Sequence, residues 1–414
     1  MEPKIRLKGF SGEWEETKFD SLAKIRRGLT YSPSNITAKG VRVLRSSNIN
    51  EDTFVASEED VFVEEGCVNV PLANDGDILI TAANGSPRLV GKHAVIETNG
   101  SEMVPGGFMV LAMTDEPYFL NTCMSSPWYK KFLKTGVAGG NGAIGNLNKT
   151  ALSESRFYIP TDKVERDSLA SYFQHLDSLI QSTTKKIESL NQVKAACLQS
   201  MFPQECETTP RVRFKGFDGE WKKVLVGKMG TTYSGLSGKT KDDFGIGNAR
   251  FVTFLNVLTN AKIDTSILET VNVCEGEHQN EVKRGDLLFN TSSETPEEVG
   301  MCAVMDEELE NVYLNSFCFG VRVTDENIDP TCVAYLMRSH IGRRIMSILA
   351  QGATRYNLSK NSFCKAELLL PKTKEEQTAI ASYFTNLDFQ ITLQKQRLEK
   401  LKQIKSACLD NMFV

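Results

Sequence analysis

The sequence predicts an α+β chain. Two mixed α/β domains alternate with two long helices that pair as an antiparallel coiled coil, giving an internal pseudo-two-fold repeat. Three observations predict this: a motif that opens each half, a helical segment that occurs twice, and a spacing of 3.5 residues between apolar positions in both copies.

The opening motif is Pro3-Lys4-Ile5-Arg6-Leu7-Lys8-Gly9-Phe10-Ser11-Gly12-Glu13-Trp14. It returns as Pro210-Arg211-Val212-Arg213-Phe214-Lys215-Gly216-Phe217-Asp218-Gly219-Glu220-Trp221, an offset of 207. Residues 165–202 and 376–413 then align without a gap at offset 211, with 17 identities in 38. Self-similarity of this kind marks a repeated architecture. The domains match only at scattered anchors: Gly76-Asp77-Ile78-Leu79 with Gly285-Asp286-Leu287-Leu288, Pro87 and Gly91 with Pro296 and Gly300, Asn146-Leu147 with Asn357-Leu358, and Gly28-x-Thr30-Tyr31-Ser32 with Gly230-x-Thr232-Tyr233-Ser234. The scaffold repeats while the loops differ, as expected for two modules that read different ligands.

Within the domains, short β-type runs end at Gly, Asn and Asp: Val41–Leu44, Ile78–Thr81, His93–Glu97, Phe108–Ala112, Phe251–Leu255, Leu287–Thr291, Cys302–Met305 and Phe317–Val323. They predict a curved or barrel-like sheet, with helices at 118–134 and 329–349. In the first long helix Leu169, Phe173, Leu176, Ile180, Thr183, Ile187, Leu190, Lys194, Cys197 and Met201 step alternately by four and three. Ile380, Phe384, Leu387, Ile391, Gln394, Leu398, Leu401, Lys405, Cys408 and Met412 repeat the pattern. That is a coiled-coil seam rather than a plain amphipathic face. Asp162 and Thr373 are candidate N-caps. About 33 seam residues at about 1.5 Å each make a rod of about 50 Å. The matching seams predict pairing within the chain, with homodimerisation through each seam as the alternative.

Composition is that of an ordinary globular protein: 41% apolar, 24% charged, with 48 Lys and Arg against 52 Asp and Glu for a net charge of −4. This excludes a disordered or collagen-like chain. No apolar run approaches the roughly 18 residues of a membrane span, and residues 1–10 lack a signal-peptide core, which together predict a cytoplasmic protein with no membrane partner. The charge neither favours nor excludes nucleic acid. No two of the ten cysteines are two or three residues apart, and the four histidines are scattered. Reduced, buried thiols are expected, and no metal site.

Two apparent motifs fail. Gly140-Asn141-Gly142-Ala143-Ile144-Gly145 satisfies G-x-G-x-x-G, but helical Trp128–Lys134 precedes it where a dinucleotide site needs a strand. Gly238-Lys239-Thr240 resembles the end of a phosphate loop, but Tyr233 stands where the first glycine is required. No nucleophile elbow, zinc-protease motif or Asn-Pro-Pro-Tyr methyltransferase motif occurs. A binding protein without catalytic residues is expected.

The two opening motifs, together with Ala-Ser-Tyr-Phe-x-x-Leu-Asp-x-x-Ile and the Cys-Leu-x-x-Met-Phe ending of each long helix, resemble the specificity (S) subunit of type I restriction–modification enzymes. The resemblance covers essentially the whole chain. It implies target recognition domains at 1–162 and 210–373, spacer helices at 163–202 and 374–414, and a linker at 203–209. Each domain would read one half of a bipartite, asymmetric site in double-stranded DNA. The helices would set the gap and dock two modification (methyltransferase) subunits. Those partners, rather than this chain, would carry S-adenosylmethionine and methylate adenine N6, and restriction/translocase subunits would complete the complex. Two domains on such a rod suit major-groove segments about 34–36 Å apart. The alternative is a coiled-coil adaptor for proteins, without DNA specificity.

Base edges are read by Arg, Lys, Asn, Gln, Ser and Thr, and phosphates by Arg and Lys. The DNA-binding candidates in the first domain are Arg45, Ser46, Asn48, Asn84, Ser86, Arg88, Lys92, Asn141, Asn146 and Lys149. In the second they are Tyr233, Ser234, Lys239, Asn256, Ser292, Ser293, Arg355, Tyr356 and Lys360. The acidic stretch Glu294–Glu298 runs against phosphate binding, unless a glutamate accepts from cytosine N4.

Overall fold

The computed structural model describes residues 1–138 and 144–414. It divides into two compact units: Met1–Lys185 with Lys395–Val414, and Lys186–Gln394. The long helices Lys163–Ser200 and Lys374–Met412 each give one segment to each unit.

The two units share a topology. The first has an antiparallel sheet in the order His93–Val95, Ile78–Thr81, Met109–Met113, Lys24–Arg27. The second has Cys302–Val304, Asp286–Asn290, Cys318–Val323, Gly230–Ser234 in the same order. Another sheet in each unit contains one parallel pair, Met103–Pro105 beside Val41–Leu44 and Val312–Leu314 beside the end of Phe244–Val252. Smaller sheets complete both units, so the strands do not form one continuous barrel. Short strands broken by glycines and 3-10 turns leave no run long enough to close one.

Several expected elements shift. The helix predicted at 118–134 is two helices, Pro117–Ser125 and Pro127–Gly136. Pro127 cannot donate to the preceding turn, and Ser126 donates N–H and Oγ–H to the Cys123 carbonyl. The helix predicted at 329–349 breaks in the same place, into Pro330–Arg338 and His340–Leu349, where Ser339 caps the second piece through Gly342 N–H. Residues 254 and 255, read as strand, begin the helix Phe254–Thr259, with Thr253 Oγ1 accepting from Asn256 N–H.

The opening motifs are structural clamps. Arg6 donates to both carboxylate oxygens of buried Glu165, near the start of the first long helix, at 2.8 and 2.7 Å, and to the carbonyls of Ser11 and Gly12. Arg213 does the same with buried Glu376 at 2.7 and 2.8 Å, and with Asp218 and Gly219. Gly9, Gly12, Gly216 and Gly219 all have φ between +73° and +100°, the left-handed region that a glycine enters without a Cβ penalty. The glutamates raise the affinity of both guanidiniums for their protons.

Seam pairing is antiparallel. In the first unit Phe173 lies 5.9 Å from Phe413, Tyr172 Oη is 3.4 Å from Cys408 Sγ, and Lys405 Nζ is 2.7 Å from Asp177. In the second, Phe384 lies 5.9 Å from Phe202, Tyr383 Oη is 3.3 Å from Cys197 Sγ, and Lys194 Nζ is 2.5 Å from Asp388. Early residues of one helix thus meet late residues of the other, within the chain. The polar seam positions Lys194 and Lys405 answer the aspartates of the repeated Leu-Asp pair. Leu169, Phe173, Leu176 and Ile180 are buried, as are Ile380, Phe384, Leu387 and Ile391. Leu190, Leu401, Ile187 and Leu398 are half-buried. At the ends, Phe413 packs on Trp14 and Phe202 on Trp221.

All ten cysteines are free. Cys123, Cys302, Cys318 and Cys332 are buried, but Cys206 and Cys274 are exposed, against the expectation of burial. Burial pushes the Cys318 thiol up to about 12. Among the described residues no cluster of His, Cys, Asp and Glu could hold a metal ion, and no helix is long and apolar enough to cross a membrane.

Candidate nucleic-acid interface

Backbone contacts define which loops correspond. Leu29 N–H donates to the Pro105 carbonyl at 2.7 Å, and Leu236 N–H to the Leu314 carbonyl at 2.7 Å. A Cβ on Gly28 would stand 2.1 Å from the Gly106 oxygen, and one on Gly235 2.1 Å from the Asn315 oxygen. The partner of Gly28 is therefore Gly235, five residues after the Gly230 that the sequence match suggests. In the loops after them Thr30 and Ser237 both carry a hydroxyl, but Tyr31 stands against Gly238.

In the first unit this loop walls a cleft of roughly 670 Å³, lined also by Ile36, Leu44–Ser46, Ala83–Gly85, Gly106–Met109 and Ile144. Arg45, Ser46 and Asn84 stand together here, and Asn84 Nδ2 donates to Ser46 Oγ at 3.2 Å. The apolar rim was not expected. Phe108 is 65% exposed, Ile144 52% and Ile36 50%. The Phe108 carbonyl accepts from Ala82 and Ala83 N–H at 2.8 and 3.0 Å, so a rigid frame holds an exposed ring.

The second unit repeats the frame with other side chains. The Phe317 carbonyl accepts from Thr291 N–H at 2.9 Å and Thr291 Oγ1 at 2.7 Å, and its ring is 56% exposed. Arg355 stacks over that ring at 5.7 Å and donates Nε–H to Ser292 Oγ at 3.3 Å. Lys149 and Lys360 open equivalent short helices. Lys360 donates to Ser234 Oγ at 2.8 Å, whereas partial burial and nearby Arg27 make Lys149 easier to deprotonate.

Several candidates are committed to the fold. Asn48 and Asn256 are fully buried. Asn48 accepts from Arg45 N–H and donates to the Val55 carbonyl and Asp60, while Asn256 donates to the Asp264 carbonyl and accepts from Asp264 N–H. Neither offers an amide to a base. Tyr233 donates to Asp286 at 2.6 Å beneath Arg322, and burial pushes its phenol far up. Lys239 is paired with Glu277 at 2.6 Å. Ser292 and Ser293 are buried, and Ser293 donates to Glu298 of the acidic stretch.

Arg45, Ser86, Arg88, Asn146, Ser234 and Arg355 are exposed, while Lys92 and Tyr356 are half-buried. Asn141, with most of the Gly140–Gly145 match, lies outside the described residues. Phe108 and Phe317 were missed because apolar residues in strand-like runs read as core, and Ile36 and Ile144 because base readers were sought among polar residues. Their signal is position: both phenylalanines directly precede the same strand.

Residues 220–403 match the family model of the type I restriction modification DNA specificity domain. Over its whole length the chain resembles specificity subunits of type I restriction–modification systems. A Methanocaldococcus jannaschii protein named as the type I restriction enzyme MjaX specificity subunit is 24% identical over 421 residues, covering 96% of this chain and 92% of its own. The fold resembles the crystal structure of the S subunit of the type I restriction–modification system of M. genitalium. The TM-score is 0.62 and the identity 14%, over 100% of this chain and 99% of that one. A chain from a structural study of complex assembly and conformational transition of the type I R-M system gives a TM-score of 0.52 at 14% identity, over 96% and 97%. At such identities these two likenesses concern the fold. Beside Phe108 and beside Phe317 the two units carry different side chains on an equivalent frame.

Proposed function

We propose that this chain is a type I specificity subunit and reads a bipartite, asymmetric site in double-stranded DNA, one half-site per globular domain. The carrying observation is a duplicated frame whose equivalent tips bear unlike side chains: Ala83 against Ser292, and Ile144 against Arg355. Equivalent frames meet equivalent groove geometry, and unlike tips select unlike bases. The antiparallel helices act as the spacer that fixes the gap and as the docking surface for two methyltransferase subunits. Those partners hold S-adenosylmethionine and transfer its methyl group to adenine N6, restriction/translocase subunits complete the complex, and this chain supplies recognition without catalysis.

The test is single-molecule methylome sequencing of a host expressing the chain with its neighbouring modification subunit. A bipartite N6-methyladenine motif that vanishes on deletion of the chain is expected. Absence of a motif, with the partner shown to be bound, would favour the coiled-coil adaptor.

A further inference from the structure

Ile144 and Arg355 occupy one scaffold position. Asn146 pairs with Ala83 and Asn357 with Ser292 in the same antiparallel register. Asn146 Nδ2 donates to the Ile144 carbonyl at 3.0 Å, and Asn357 Nδ2 to the Arg355 carbonyl at 3.2 Å. The Leu147 and Leu358 N–H groups that follow donate to Ala82 and Thr291, each at 2.8 Å. The two units therefore present one residue from the same hairpin beside the same exposed phenylalanine.

What they present differs as a set. In the first unit Ile144, Phe108 and Ala83 line an open, mostly apolar lip. In the second, serine replaces alanine, and Ser292 Oγ takes the Nε–H of Arg355 while the guanidinium carbon lies over the Phe317 ring. Those two contacts fix the fork. Among the described residues no hydrogen bond occupies its terminal nitrogens, so Arg355 is exposed yet oriented. A free surface arginine is exposed but not oriented. An oriented fork matches O6 and N7 of guanine, and an apolar lip matches the 5-methyl group of thymine.

We propose that this position determines specificity in both half-sites: Arg355, aimed by Ser292 and Phe317, reads a guanine, and the Phe108–Ile144 lip receives a thymine methyl. The inference rests on the half-site reading above and assigns it to particular side chains.

Methylome sequencing of the intact complex carrying Arg355→Gln tests it. The variant removes the fork at an exposed site. Discrimination for guanine at one position of one half-site should fall roughly 5- to 140-fold, with the other half-site unchanged. The double variant Ala83→Ser with Ile144→Arg should move a guanine preference into the other half-site in place of thymine.

An unchanged motif in Arg355→Gln would overturn the inference alone, because the bipartite motif would still stand. So would an even loss of methylation at all sites, the mark of a phosphate contact, or an affected position that is not guanine in the parent. A parent complex with no bipartite motif would overturn both readings together.

Discussion

Arg6 and Arg213 show how much of this molecule turns on single side chains. Each holds a buried glutamate that, among the described residues, no other basic side chain reaches. Removing the arginine leaves a carboxylate buried and unpaired, which costs about 3–5 kcal/mol. Arg213→Leu should therefore lower unfolding free energy by about 3 kcal/mol in urea titrations, far more than Arg156→Leu, which breaks an exposed pair with Glu16. Glu277 sets a pH dependence. Lys239, Gln279 and the Cys274 N–H hold its carboxyl at about 2, below the ordinary carboxylate range. Its stabilising contribution is thus present above about pH 4.5 and is lost as pH falls through about 2, because the unfolded chain takes the proton first. In Glu277→Gln the drop in melting temperature across that window should be shallower, and an equal slope would contradict it. Residue type alone was a poor guide at this scale. Asn48 and Asn256 carry the same amide that a base reader would, and only the structure reveals that theirs are buried and spent on the backbone and, for Asn48, on Asp60.

Among the elements, the long helices were the most legible part of the sequence. A strict alternation of four and three over ten positions has few structural solutions. The structure explains the two lysines of the seam, since Lys194 and Lys405 meet Asp388 and Asp177. Half-buried ion pairs of this kind contribute about 0–1 kcal/mol, so they fix register more than stability. The aromatic ends weigh more. Phe413 is buried between Trp14 and Phe173. Phe413→Ala should cost about 3 kcal/mol by calorimetry, and Phe413→Leu should recover most of it. The short domain elements were read less well. The equation of Gly28 with Gly230 followed an identical Thr-Tyr-Ser, whereas backbone approach to a neighbouring strand fixes the partner as Gly235. Local identity is a weak signal where loops diverge. The helix breaks at Ser126 and Ser339 were missed because apolar periodicity runs through them.

For the whole molecule, function follows from duplication with divergence. Two units of one topology, each completed by segments of both long helices, keep a common frame while their tips change. The helices as a ruler give a prediction of their own. One heptad inserted into each preserves the seam and adds about 10.5 Å, or about three base pairs at 3.4 Å each. The gap of the methylated motif should lengthen by about three base pairs with both half-sites intact, and an unchanged gap would contradict the ruler. The repeat itself was evident from sequence, while the proposed reading surface was not, because its apolar rims and oriented side chains come from loops far apart in the chain. The most direct test is to replace residues 1–162 with the equivalent domain of a divergent specificity subunit and sequence the methylome of the resulting complex. The account predicts a motif in which one half-site is new, while the gap and the other half-site remain. A motif altered in both halves, or in neither, would contradict recognition by independent domains.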